Sequence, residues 1–269
     1  MKIGILYICT GKYIRFFDSF FESAELHFLK GNEIHYFVFT DGNLDIFASC
    51  DRIHRIEQPK LGWPHDTLMR FHMFSRISDL LTTMDFLFFF NANMRFVEDI
   101  ENDILPDESD HWLVGVIHPV FVGRDKVEFT YDNNPKSTAY IPKGEGDFYY
   151  QGCLSGGRSR EYLSLSHELL RNIDIDQSKG IIALWHDESH LNRYFLNHKP
   201  KRLDPGYAYP EDWDIPFEKK IVQLDKNKKG GHAFLREIGT QQEVNPSLMK
   251  AVKSRVKLLL KKSIRYFQR

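Results

Sequence analysis

Long apolar runs are missing from this chain. No stretch approaches the roughly 20 residues that a membrane-crossing helix needs, and the apolar run at residues 3–8 is too short for the core of a secretory signal. Cysteine is scarce. Cys9, Cys50 and Cys153 are an odd number in no metal-ligand spacing, which excludes a disulfide framework and fits reduced thiols in a cytosolic compartment. Repeats and low-complexity segments are absent, and neither sign of charge is in excess, with 36 Lys+Arg against 37 Asp+Glu. That balance calls for no nucleic-acid partner.

What is present is a chain of 269 residues, 42% apolar, long enough to bury a real core. The charge is unevenly placed. Residues 244–269 hold eight Lys or Arg and no acid, which leaves 28 basic against 37 acidic side chains in the rest. An acidic body over residues 1–243 thus carries a basic tail over 244–269. The tail starts on Asn245-Pro246, a good helix start, and Val252, Val256, Leu259, Leu260, Ile264 and Phe267 fall on one face. This is the pattern of a basic amphipathic helix lying on an anionic membrane surface, with packing on its own domain as the alternative.

The body reads as α/β, with short apolar runs alternating with amphipathic stretches. Strands are expected at residues 3–8, 34–40, 53–57 and 86–90, with helices over about 13–29 and 67–81. The run Phe86–Phe90 is apolar throughout, as a central parallel strand covered on both faces must be. It stops at Asn91-Ala92-Asn93, at the strand end where open α/β sheets bind ligands. An isolated Asn-x-Asn can equally be an Asx turn. A second concentration of polar groups follows the apolar, strand-like run 181–184: Trp185-His186-Asp187-Glu188-Ser189-His190-Leu191-Asn192, opening a helix. Adjacent acids at such a junction are costly to bury and suggest a site. Solvated capping carboxylates, or zinc bound by His186 and His190 at i, i+4, are the other readings.

Several stretches together resemble glycosyltransferase family 6, the family of the ABO histo-blood-group transferases and the α-1,3-galactosyltransferases. They are YFVFTD at 36–41, Asn91-Ala92-Asn93, His118-Pro119, Phe129-Thr130-Tyr131, AYIPK at 139–143, EGDFYY at 145–150, Gly156-Gly157, and WHDESHLN at 185–192. The resemblance spans residues 3–236. It implies a GT-A type fold, a Rossmann-like open mixed sheet flanked by helices, as a catalytic domain over 1–243. It also implies retaining transfer of galactose or N-acetylgalactosamine from a UDP-sugar to the 3-hydroxyl of a terminal, fucosylated galactose. Asn91 and Asn93 stand where the family's metal-binding Asp-x-Asp lies, so no metal cofactor is expected, as in bacterial members that work without one. The family's membrane anchor and stem have no counterpart here, which implies a cytoplasmic form, peripheral on the inner face of the membrane. A lipid-linked or lipooligosaccharide acceptor suits that place. The alternatives are an inactive or sugar-binding relative, and a metal-dependent hydrolase using His186 and His190.

The resemblance also assigns residues. Glu188 matches the catalytic glutamate and Asp187 its sugar-binding neighbour. Gln151, Gly152 and Cys153 occupy the positions that separate galactose from N-acetylgalactosamine donors, and the bulk of Cys153 favours UDP-galactose. Tyr13 matches a uracil-side residue, Arg70 a residue near the donor, and Lys226 and Arg236 cations of a mobile C-terminal segment that closes over the nucleotide. His118 and Trp185 match acceptor positions, Thr130 and Glu211 lie near others, and Val120 replaces a small residue beside His118. Arg95 is added for its nearness to Asn93 in sequence. Without a metal, such cations must offset the charge on the departing UDP.

Overall fold

A computed structural model describes residues 1–238 of the chain. The basic segment 244–269, with its expected membrane helix, lies outside the described residues.

In chain order the elements are β1 (Lys2–Ile8), α1 (Phe17–His27), β2 (Glu33–Thr40), β3 (Ile53–Glu57), α2 (His65–Leu68), α3 (Arg70–Ser75), α4 (Ser78–Leu81), β4 (Phe86–Phe90) and β5 (Met94–Phe96). There follow β6 (Leu113–Ile117), β7 (Tyr150–Arg158), α5 (Ser159–Ser178), α6 (Asp187–Asn197), β8 (Lys201–Leu203), β9 (Tyr209–Pro210), β10 (Ile221–Gln223) and α7 (Gly231–Arg236). Seven strands form one mixed sheet in the order β3-β2-β1-β4-β7-β6-β8, and β5-β10-β9 form a second, small sheet. Strands β1 to β4 are parallel, whereas β7 runs antiparallel to both β4 and β6.

Strand alternation builds a core on each face of the large sheet. Ile3, Ile5, Tyr7, Tyr36, Val38, Phe88 and Phe90 join one buried cluster with Phe17, Phe20 and Ala24 of α1. Leu6, Phe37, Phe39, Leu87 and Phe89 point into the other, with Phe71 and Phe74 of α3 and Tyr162, Leu165 and Leu169 of α5. This is why β4 has no polar residue. Gly156 lets β7 lie close against it, since a Cβ there would come 2.6 Å from the Leu87 carbonyl oxygen and 2.7 Å from the Phe88 ring.

Three expectations are corrected. The helix expected over 13–29 begins as a 3-10 turn, Gly11–Phe16, before α1. The one expected over 67–81 is three short helices, because Met69 (ψ 15) and Ile77 (ψ 22) leave helical geometry; apolar periodicity reports the buried face, not an unbroken axis. Residues 181–184 form no strand. Ile182 and Leu184 are about half exposed, and the backbone N–H groups of Ile181 and Leu184 donate to the Asp176 carbonyl and the Asp132 carboxylate rather than to a ladder.

The topology brings distant segments to one edge. The carboxyl ends of β1 and β4 face the same way, and β7, running the other way, starts beside the end of β4, with Asn91 N–H donating to the Cys153 carbonyl at 2.8 Å.

Candidate active site

At that edge a cleft of about 250 Å³ is lined by Tyr13, Arg70, Asn91, Asn93, Gln151, Gly152, Cys153, Trp185, Asp187, Glu188, Lys226 and Arg236, together with Trp63, Asp66 and His186. Twelve of the sequence-derived site residues therefore share one cavity. Its floor is the first turn of α6. His186, just before that turn, has φ 56° and ψ −125°, a conformation costing an ordinary residue about 1–3 kcal/mol. The following acids, Asp187 and Glu188, both line the cleft.

Glu188 is held through both oxygens. Oε2 accepts from Gly152 N–H at 2.7 Å and Oε1 from the Tyr149 hydroxyl at 2.9 Å. Burial pushes its carboxyl up to about 7, against the pull of these two donors. Asp187, 1% exposed, is pushed up to about 6 by burial, opposed chiefly by Arg70. Its Oδ2 lies 3.0 Å from Arg70 Nε, although the N–H is not aligned on it and Nε makes no hydrogen bond. The Asp187 Oδ1 atom is buried with no partner among the described residues, an acceptor that a ligand hydroxyl can satisfy. Arg70 itself is pinned by donation from Nη1 to the Gly152 carbonyl at 2.5 Å and by stacking 4.1 Å over Phe89. Gly152 thus joins Glu188 to Arg70, and a Cβ there would sit 3.1 Å from the Glu188 Cβ.

The opposite wall is cationic. Lys226 follows β10, and its ammonium lies 5.5 Å from the Tyr13 ring centroid. Burial, with Arg236 and then Arg70 as like-charged neighbours, brings it down to about 8. Arg236 stacks 3.4 Å over Trp63 and lies beside Tyr13. Among the described residues Lys226 forms no ion pair. Cations held close together form a site for an anion.

Four sequence-derived residues stand off the cleft wall. Arg95 is exposed on β5 and does not line the cleft, because side chains alternate along a strand and its neighbours Met94 and Phe96 take the buried side. Glu211 accepts from Asp225 N–H at 2.8 Å and lies 3.5 Å from Lys228, so it supports the Lys226 loop from outside. Thr130 accepts from Trp185 Nε1 at 3.1 Å and lies beside Tyr149. His118 packs edge-on to Tyr149 and accepts from Val120 N–H through Nδ1; burial brings it down to about 4, a neutral ring near pH 7. Hydrogen bonds thus join Trp185 to Thr130 and, beside them, Tyr149 to Glu188.

Tyr149 is the member that sequence reading left without a role, although it lies in the EGDFYY stretch. Trp63 and Gln223 were missed as well. No local signal marks them, since their partners are distant in the chain.

The residues at the Asp-x-Asp positions do not fit a divalent cation. Asn93 donates through Nδ2 to the Leu224 carbonyl and accepts from Leu224 N–H through its own carbonyl, both at 2.8 Å, so its amide ties down the segment carrying Lys226. Asn91 offers only a neutral amide. Nor do the two histidines form a zinc site. His186 stands edge-on to Trp63, whereas His190 is buried beside Thr138 and Asp176, and no cluster of metal-binding side chains occurs among the described residues.

The sequence profile of glycosyltransferase family 6 matches residues 1–237. The chain belongs to that family. The O-antigen biosynthesis glycosyltransferase WbnI of Escherichia coli is 35% identical over 237 residues, covering 88% of this chain and all of that protein. Histo-blood group ABO system transferase 1 of Rattus norvegicus is 36% identical over 237 residues, covering 84% and 67%. Globoside alpha-1,3-N-acetylgalactosaminyltransferase 1 of Gallus gallus is 33% identical over 243 residues, covering 84% and 68%. As a family 6 glycosyltransferase with a seven-stranded mixed sheet flanked by helices, the protein has a GT-A type fold. It takes a nucleotide-sugar donor and a glycan acceptor.

Proposed function

We propose that the protein is a retaining α-1,3-glycosyltransferase that moves galactose, or less readily N-acetylgalactosamine, from its UDP-sugar to the 3-hydroxyl of a terminal, fucosylated galactose, without a metal ion. The observation that carries this reading is Glu188, a half-buried carboxylate held by Gly152 and Tyr149 beside Asp187, in one cleft with the Lys226 and Arg236 cations. In this reading the diphosphate lies against Lys226 and Arg236, and Asp187 Oδ1 takes a hydroxyl of the transferred sugar. Glu188 acts at the anomeric carbon, either by attack to give a β-glycosyl enzyme or by stabilising an oxocarbenium ion. On the covalent route the bond from the anomeric carbon to the UDP oxygen breaks as the bond to Glu188 forms, and the acceptor 3-hydroxyl then displaces Glu188; on the ion route the acceptor bonds the anomeric carbon as UDP leaves, and on both the departing UDP oxygen takes the acceptor's proton. Galactose is favoured because Cys153 takes room that an acetamido group needs.

The test is incubation with each UDP-hexose and a fucosylated galactoside in EDTA. Formation of the α-1,3-linked product is expected. Absence of transfer in EDTA with recovery on adding Mn²⁺ would overturn the metal-free assignment, and absence of transfer in all cases the enzymatic one.

The pH profile follows from the site. Glu188 must be ionised and Lys226 protonated, so kcat/KM should rise through about pH 7 and fall above about pH 8. Tyr149→Phe removes a donor that holds the Glu188 carboxyl down. The acidic limb should then move up by about one to two pH units, because a hydrogen bond to a charged group contributes about 1.5–3 kcal/mol. A limb that stays in place would show that this contact does not set the ionisation.

The basic segment 246–269 serves, in this reading, to hold the enzyme on the cytoplasmic face of an anionic membrane near a lipid-linked acceptor. Full-length protein should cosediment with anionic vesicles at low salt and lose this on truncation after residue 243.

A further inference from the structure

One half-buried amide outside the cleft bonds an amide inside it. Gln223, half-buried at the end of β10, does not line the cleft, yet its side chain touches two residues that do. Its Nε2 donates to Gln151 Oε1 at 2.8 Å, to the Ala208 carbonyl at 3.1 Å and to Cys153 Sγ at 3.4 Å. The return contact, from Gln151 Nε2 to Gln223 Oε1, is long at 3.4 Å.

The Ala208 carbonyl decides how this pair is oriented. A backbone oxygen accepts only, so Gln223 must turn its NH₂ toward it, and the same NH₂ then claims the Gln151 oxygen. With that oxygen engaged, what Gln151 has left to offer a ligand is its NH₂. The backbone of β10 holds Gln223 in place, because Gln223 pairs with Met94 of β5 and Pro210 of β9.

We propose that Gln223 is a positioning residue for donor-sugar selection, locking Gln151 so that it shows an N–H, and not a carbonyl, to the transferred hexose. The inference rests on the donor-site reading above and adds to it a class of recognised group: an acceptor oxygen on the sugar. A hydroxyl can meet an N–H or a carbonyl, since it both accepts and donates. An acetamido carbonyl can meet only an N–H. The two UDP-hexoses therefore depend on Gln223 to different degrees.

The test compares kcat/KM for UDP-N-acetylgalactosamine and UDP-galactose in wild type, Gln223→Met and Gln223→Glu, with UDP affinity measured alongside by calorimetry. Methionine keeps the length and removes every hydrogen bond, and glutamate accepts from Gln151 Nε2 and turns that amide over. Both variants should shift the ratio against the N-acetyl donor, by about tenfold in Gln223→Glu, with UDP affinity within twofold of wild type. In a Gln151→Ala background the shift should vanish. A ratio unchanged in both variants, or a shift that persists without Gln151, overturns the inference. A wild-type enzyme that turned over neither UDP-hexose would overturn the donor-site reading along with it, whereas a normal wild type with an unchanged ratio overturns the inference alone.

Discussion

Glu188→Gln should lower the transfer rate by about 10³-fold or more while leaving UDP binding close to wild type. The substitution retains shape and most contacts. A glutamine oxygen still accepts from Gly152 N–H, and the Tyr149 hydroxyl, which now donates to Glu188, can instead accept from the new NH₂. On the proposed reading, what is lost is the negative charge that the anomeric carbon meets as the UDP bond breaks. Burial makes that charge costly in the free enzyme and effective in the transition state, since a buried charge is little screened. The measurement is a rate of product formation at saturating donor, paired with calorimetric titration of UDP. A variant that kept a tenth of the wild-type rate would remove Glu188 from the chemistry.

For Lys226→Ala a loss of about 10²–10³-fold in kcat is expected, the range found when one preorganised stabiliser of developing charge is removed. Lys226 stands close to Arg236 and Arg70, which lower its proton affinity in the empty cleft. A bound diphosphate reverses that effect. The alkaline limb of kcat, which reports the complex, should accordingly lie above the limb near pH 8 expected for kcat/KM. Lys226→Arg should recover part of the rate. Full activity of Lys226→Ala in EDTA would show that the charge of the leaving group is met elsewhere.

The candidate site was partly legible before the fold. Asp187 and Glu188 stand out because adjacent acids beside apolar runs are expensive to bury, and Phe86–Phe90 because a wholly apolar strand must be covered on both faces. Residues whose role depends on a distant partner carry no such mark. Tyr149 meets Glu188 across 39 residues and Gln223 meets Gln151 across 72. Arg95 misled through proximity in sequence, because on β5 Met94 and Phe96 take the buried side and leave Arg95 exposed. The run 181–184 misled because an apolar run resembles a strand until a neighbour such as Asp132 takes its backbone hydrogen bonds.

By itself the sequence determined the α/β class, four strands to within a residue or two, the family, and the split between an acidic body and a basic tail. These are properties of pattern and composition, written locally. The tertiary structure alone decided what surrounds each charge. It set β7 antiparallel beside β4, so that Gly152 could meet both Glu188 and Arg70, and it made Asn93 a tie on the segment that carries Lys226. Hydrogen bonding and ionisation depend on distance in space, and only the folded chain defines it.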